Sequence, residues 1–120
     1  MINDYKKLQV WEKSMELVQL VYVATKKFPD DEKFGLTSQI RRACVSIPSN
    51  IAEGKLRGGD TEFKRFLLIS FASGGELETQ LEIARRLDYV KETDYKKINE
   101  LLSEVMKMLN GLISKLAASS

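Results

Sequence analysis

Apolar side chains recur at alternating steps of three and four residues along nearly the whole chain, and that period belongs to helices. In a first segment, about residues 5–28, Leu8, Trp11, Met15, Val18 and Tyr22 form the stripe. Leu17, Val21, Ala24 and Phe28 widen it, which predicts burial on more than one side. A second segment, from about residue 34 or 36 to 55, carries Leu36, Ile40, Ala43, Cys44, Ile47 and Ile51. A third, about 60–87, carries Phe63, Phe66 or Leu67, Ser70, Gly74, Leu77, Leu81 and Ala84. The fourth, about 93–116, carries Ile98, Leu101, Val105, Met108, Leu112 and Leu116, broadened by Leu102, Leu109 and Ile113. No alternating strand pattern competes. Four such helices joined by short turns predict one all-α domain over residues 1–120, an antiparallel up-down-up-down four-helix bundle. Rods of this kind expose much side surface, so association with other copies is expected.

Breakers and caps set the boundaries. Pro29-Asp30-Asp31 ends the first helix. Thr37 or Ser38 is the candidate cap of the second. Pro48 lies inside the second stripe and cannot donate to the carbonyl of Cys44, which predicts a kink or short break over residues 44–48. Ser46, Ser49 and Asn50 flank it and can satisfy freed backbone groups. Gly54, Gly58 and Gly59 mark the exit. Asp60 is the expected N-cap of the third helix, with Glu62 in its first turn. Ala72-Ser73-Gly74-Gly75 leaves two readings, a break or a close approach by another helix. The stripe continues in phase on both sides, which favours close approach. Thr93 is the expected N-cap of the fourth helix, and residues 117–120 are expected to fray.

Composition excludes several chemistries. The 120 residues include no histidine and one cysteine. There is no His acid–base group, no Ser–His or Cys–His dyad and no His metal ligand. One cysteine allows neither an intrachain disulfide nor a multi-Cys zinc site. No other catalytic pair stands out, so the chain is expected not to be an enzyme and to need no cofactor. The polar start, Met1 to Lys7, lacks a signal-peptide core. The apolar runs at 18–24 and 66–72 are too short to span a bilayer. A cytoplasmic address without membrane attachment is expected, and Cys44 fits there as a small buried hydrophobe.

The net charge of +2 is unevenly spread. Residues 1–35 carry six basic and six acidic side chains, residues 36–75 six and three, and residues 76–120 seven and eight. The middle third is the basic part. Lys55, Arg57, Lys64 and Arg65 lie in or near the turn between the second and third helices, diluted by Glu53, Asp60 and Glu62. The functional reading is an end of the bundle that contacts phosphates of RNA or DNA, weakly per copy and more strongly through assembly. The plainer reading is a solvated turn.

Other polar residues read as structure. Arg41 and Arg42 are adjacent on a helix and point about 100° apart, so they address different surroundings. One of them is a candidate ion pair with Glu76, Glu78 or Glu53. Glu76, Glu78 and Glu82 invite a metal site, but bundle sites usually pair Glu with a His three residues on. Glu78 and Glu82 instead precede Arg85 and Arg86 as a salt-bridge ladder. Glu76 beside Gly75 is the candidate for partial burial against an arginine.

One string resembles a known family. Gly35-Leu36-Thr37-Ser38-Gln39-Ile40-Arg41-Arg42-Ala43, then Ser46-Ile47-Pro48-Ser49-Asn50-Ile51-Ala52-Glu53-Gly54, is joined by Leu8-Gln9-Val10-Trp11. Phe63, Arg65-Phe66-Leu67 and Gly75-Glu76-Leu77-Glu78-Thr79-Gln80-Leu81-Glu82-Ile83-Ala84 extend the match over nearly the whole chain. These resemble the bacterial four-helix-bundle proteins encoded in intervening sequences of 23S ribosomal RNA genes. The resemblance implies an antiparallel bundle, often a homopentamer, with no catalytic residues. A related branch, the accessory protein of diversity-generating retroelements, implies binding to nucleic acid and to a reverse transcriptase. The matching positions from Ile40 to Gly54, with Arg41, Arg42, Pro48, Asn50 and Glu53, read as architecture and subunit contact, as do Gly74, Gly75 and Glu76. The net charge here is low for the accessory branch.

Overall fold

The computed structural model describes residues 4–119. A short 3-10 turn, Asp4–Lys7, precedes α1 (Gln9–Thr25); a second, Asp30–Glu32, precedes α2 (Leu36–Leu56); α3 (Asp60–Arg86) and α4 (Glu92–Ser119) follow. Among the described residues there is no strand. Each helix packs on its chain neighbours, and α1 closes the ring on α4, whereas the diagonal pairs do not approach. This is the expected all-α, up-down-up-down bundle, 45 × 23 × 20 Å in extent.

The stripes of α2 and α3 are buried as expected, from Leu36 to Ile51 and from Phe63 to Ala84. In the first segment the order of importance reverses. Leu17, Val21, Ala24 and Phe28, the widening set, are buried together with Val10 and Ser14. Leu8, Trp11 and Val18 only line the edge of the core, and Met15 is exposed. Two overlapping stripes on one helix satisfy the same period; which one faces inward is decided by the neighbours. In α4, Ile98, Leu102, Val105 and Leu109 are the innermost residues.

Several boundaries differ from expectation. Leu8 has an extended backbone, so α1 starts at Gln9 instead of running through from residue 5. Tyr5 in the preceding turn meets Trp11 edge to face, with ring centroids 5.4 Å apart. Neither Thr37 nor Ser38 caps α2. Gly35 stands at the cap position, and the carboxylate of Glu32 accepts the Leu36 N–H at 3.1 Å. The other carboxylate oxygen of Glu32 accepts the Tyr89 hydroxyl at 3.0 Å, which ties the two loops at this end together. Asp60 is the first residue of α3, with Gly59 at the cap. α4 starts at Glu92, ahead of Thr93, and stays helical through residues 117–119 instead of fraying. Ser120 lies outside the described residues.

α2 is unbroken through Pro48. Among the described residues no flanking side chain donates to the freed Cys44 carbonyl; Asn50 Nδ2 donates instead to the Ser46 carbonyl at 2.8 Å and to Ser46 Oγ at 2.9 Å. A donor from α3 adds to these, because the buried Ser70 hydroxyl donates to the Ile47 carbonyl at 2.9 Å. Ser46 and Ser73 share a hydroxyl hydrogen bond at 2.9 Å across the same seam.

α3 is likewise unbroken through Gly74 and Gly75. Gly74 faces α4, where an added Cβ would collide with Met106 Sδ. Gly75 meets open space, so close approach accounts for one glycine of the pair. The tightest crossing against a less yielding neighbour is at Gly54, read from sequence only as an exit signal. A Cβ there would stand 2.6 Å from Phe66 Cβ and 3.3 Å from the Phe63 carbonyl. Gly54→Ala is therefore expected to lower the unfolding free energy by about 1–3 kcal/mol through overpacking. Gly75→Ala is expected to raise it by about 0.5–1 kcal/mol through helix propensity. Urea denaturation of the two variants beside the parent checks both signs.

Candidate nucleic-acid interface

Antiparallel topology brings the start of α1, the end of α2, the start of α3 and the end of α4 to one end of the rod. Lys55 and Arg57 leave α2 there, and Lys64 and Arg65 enter α3. The 3-10 turn carrying Lys6 and Lys7 packs against α2. Gly58, with φ +88°, supplies the left-handed residue that turns the chain between the two helices. The four sequence candidates are thus brought to one corner of the bundle.

Their geometry centres on Phe66 and Glu62. The guanidinium of Arg57 lies 5.1 Å from the buried Phe66 ring centroid, and that of Arg65 lies 4.5 Å from it. Arg65 grips the Glu62 carboxylate with Nε at 2.7 Å and a terminal nitrogen at 3.2 Å. Arg57 approaches Glu53 at 3.6 Å and Glu62 at 4.0 Å. Lys55 stands over Phe63 at 5.3 Å. Among the described residues Lys55 and Lys64 form no ion pair. The corner is therefore two arginines held on an aromatic plane and partly neutralised, flanked by two unpaired lysines. The Arg65 hydrogen bond, followed by the charges of Arg65 and Arg57, holds the Glu62 carboxyl below its ordinary range. A lowered carboxylate stabilises above its ordinary pKa, and that contribution is lost as pH falls through the lowered value. Glu62 thus stays charged and competes for both arginines at neutral pH.

The remaining candidates are spread over the fold. Arg41 turns toward α1: its Nε donates to Thr25 Oγ1 at 2.9 Å, and its guanidinium lies 4.5 Å from the Tyr22 centroid. The expected acidic partner is replaced by this hydroxyl and ring. Arg42 is exposed. Glu76 is exposed beside Gly75, with no arginine pairing it among the described residues. In the expected ladder Glu82 takes both arginines, Arg85 at 3.3 Å and Arg86 at 2.8 Å, and also accepts the Tyr95 hydroxyl at 3.1 Å. Glu78 forms no ion pair among the described residues. Pro48 is buried and Asn50 is half-buried at the α2–α3 seam, engaged as described above.

Among the described residues no three Asp, Glu or Cys side chains converge as a metal would require. Among the described residues no helix is long and apolar enough to cross a membrane. Cys44 is fully buried, and desolvation pushes its thiol up to about 12.

These features define an all-α antiparallel bundle whose polar chemistry lies in surface arginines and lysines. The chain belongs to the 23S rRNA-intervening sequence protein family, whose model matches residues 6–111. Among solved structures it is similar to a protein of unknown function from the S23 ribosomal protein family of Bacteroides thetaiotaomicron, solved at 1.70 Å. The two are 30% identical with a TM-score of 0.78, and the match covers 87% of this chain and 97% of that one. No curated protein matches the chain.

The buried thiol yields a direct check. Cys44 is expected to react with Ellman's reagent only as the protein unfolds, so labelling in native buffer should lag labelling in denaturant by orders of magnitude.

Proposed function

We propose that this protein is a non-enzymatic, cytoplasmic bundle that assembles into a ring and uses the basic corner of each copy to hold an RNA or DNA backbone. The observation that carries the reading is the Phe66 platform. Arg57 and Arg65 both rest on it, with Lys55 and Lys64 forming no ion pair nearby. Arginine donors in a fixed plane suit phosphate oxygens, and held side chains lose less entropy on binding. One copy offers at most about four phosphate contacts, which is weak at physiological salt. Repetition of the corner around an oligomer raises affinity through effective concentration.

Self-association has its own support. The outward face of α3 carries Leu68, Ile69, Ala72 and Ile83, with Leu68 47% exposed. Val45 is exposed on α2, next to the Ser46 that bonds Ser73. Exposed apolar residues gathered on one face of α3 mark an interaction surface. The same face would serve a different protein, such as the reverse transcriptase that the family resemblance suggests.

The Lys55, Arg57, Lys64, Arg65 quadruple alanine variant is expected to weaken binding to structured RNA. It should also flatten the slope of log affinity against log salt by roughly 3. Glu62→Gln is expected to tighten binding at low salt by freeing both arginines. Parent affinity and parent slope in the quadruple variant would remove this corner as the site. For assembly, Ile69→Glu is expected to reduce the mass seen by light scattering to the 13.7 kDa of a single chain. A parent that already runs at that mass in concentrated solution would reject the oligomer.

A further inference from the structure

The opposite end of α2 is preceded by an aromatic side chain left in water. Phe34 is 91% exposed, far more than any other large apolar residue among those described. Lys33 Nζ stands 5.5 Å from its ring centroid. From Phe34 a groove runs between α1 and α2 past Ser38 and Arg42, with Tyr22 and Arg41 on its α1 side. Arg41 is already immobilised there by Thr25 and Tyr22, through its Nε and its planar face. Its terminal amino groups are therefore held in a set orientation without an acidic partner. Among the described residues Lys33, Arg41 and Arg42 form no ion pair. Thr37 belongs to the groove lining; it is only 7% exposed, and its hydroxyl has no hydrogen-bond partner. Asp30 and Asp31 lie on the adjoining turn, whereas the carboxylate of Glu32 is engaged by the Leu36 N–H and the Tyr89 hydroxyl.

A purely apolar partner has no use for three unpaired cations, and a simple anion has no use for a bare phenyl ring. The combination fits a polymer that alternates flat π faces with phosphates. A single-stranded polynucleotide has that character, because its unpaired bases stack on aromatic side chains while cations track its backbone. A duplex hides the faces of its bases.

We propose that this groove binds a single-stranded polynucleotide, with Phe34 stacking an unpaired base and Lys33, Arg41 and Arg42 meeting the adjoining phosphates. The inference rests on the polynucleotide reading for the class of partner, but on none of the residues of the basic corner. The two places lie at opposite ends of a 21-residue helix, about 30 Å apart.

The test uses the full chain and three labelled probes: a twelve-nucleotide oligouridylate, the DNA strand of the same length, and an abasic sugar-phosphate strand of equal charge. Phe34→Ala removes an exposed ring, so its melting curve should match the parent's. It is expected to weaken oligouridylate binding by about tenfold in fluorescence anisotropy and to leave the abasic strand unchanged. Phe34→Trp is expected to retain or tighten binding. Arg42→Ala should weaken both base-bearing and abasic strands. Equal weakening of DNA and oligouridylate by Phe34→Ala supports stacking without sugar selection, and weakening of oligouridylate alone supports stacking with it. Parent-like oligouridylate binding by Phe34→Ala overturns the proposal, as does an equal loss on the abasic strand. A change in assembly mass with unchanged oligonucleotide binding also overturns it and assigns the ring to a contact between copies. A parent that binds no polynucleotide at all overturns this reading and the basic-corner reading together. Binding that the quadruple variant loses while Phe34→Ala keeps it overturns this one alone.

Discussion

The approach of α2 to α3 governs the rest of the molecule. A helix carrying a proline in its middle lacks one backbone donor and crowds the preceding turn. Here side chains tie the proline's turn to itself and to α3: Asn50 donates to the carbonyl of Ser46, and Ser70 of α3 donates to that of Ile47. Such hydrogen bonds require α3 to lie close, and Gly54 permits it by leaving room for Phe66 and Phe63. Small residues and hydroxyl groups on one seam therefore do two jobs. They hold the turn around Pro48 against α3, and they set the close α2–α3 pair on which α1 and α4 close the ring.

That pairing also determines how the charges meet. Because α2 and α3 run antiparallel from a short glycine turn, Arg57 at the end of α2 and Arg65 in α3 converge on Phe66. Glu62 is brought between them by the same turn. The outcome is an ordered basic corner of modest strength, in which the arginines are pre-positioned but partly answered. Such a surface suits repetition better than solitary binding. At the other end Arg41 is held by α1, and the start of α2 leaves Phe34 uncovered.

Much of the fold was legible because helical periodicity is local. The α3 stripe from Phe63 to Ala84 appears in the core residue for residue. Caps were less legible. Thr37 has the right chemistry for a cap, yet Glu32 takes the Leu36 N–H because Tyr89 holds its carboxylate in place from another loop. In α1 two stripes overlap, and the choice of Leu17, Val21, Ala24 and Phe28 over Leu8, Trp11 and Met15 depends on what α2 and α4 present. Of the candidate site, the four basic residues could be named from their crowding near one turn. The Phe66 platform and the immobilised Arg41 could not, since each joins residues from separate elements.

The sequence by itself determined four amphipathic helices, their short connections and the exclusion of histidine chemistry. These follow from residue identity and from spacing along one strand of chain. Tertiary structure decided the rest. It set which face of α1 turns inward, that α2 survives its proline, and which glycines separate helices. It also decided which arginines are held and which aromatic ring stays in water. The physical reason is that local preferences of about 1 kcal/mol at caps and faces are outweighed by what distant segments place beside them.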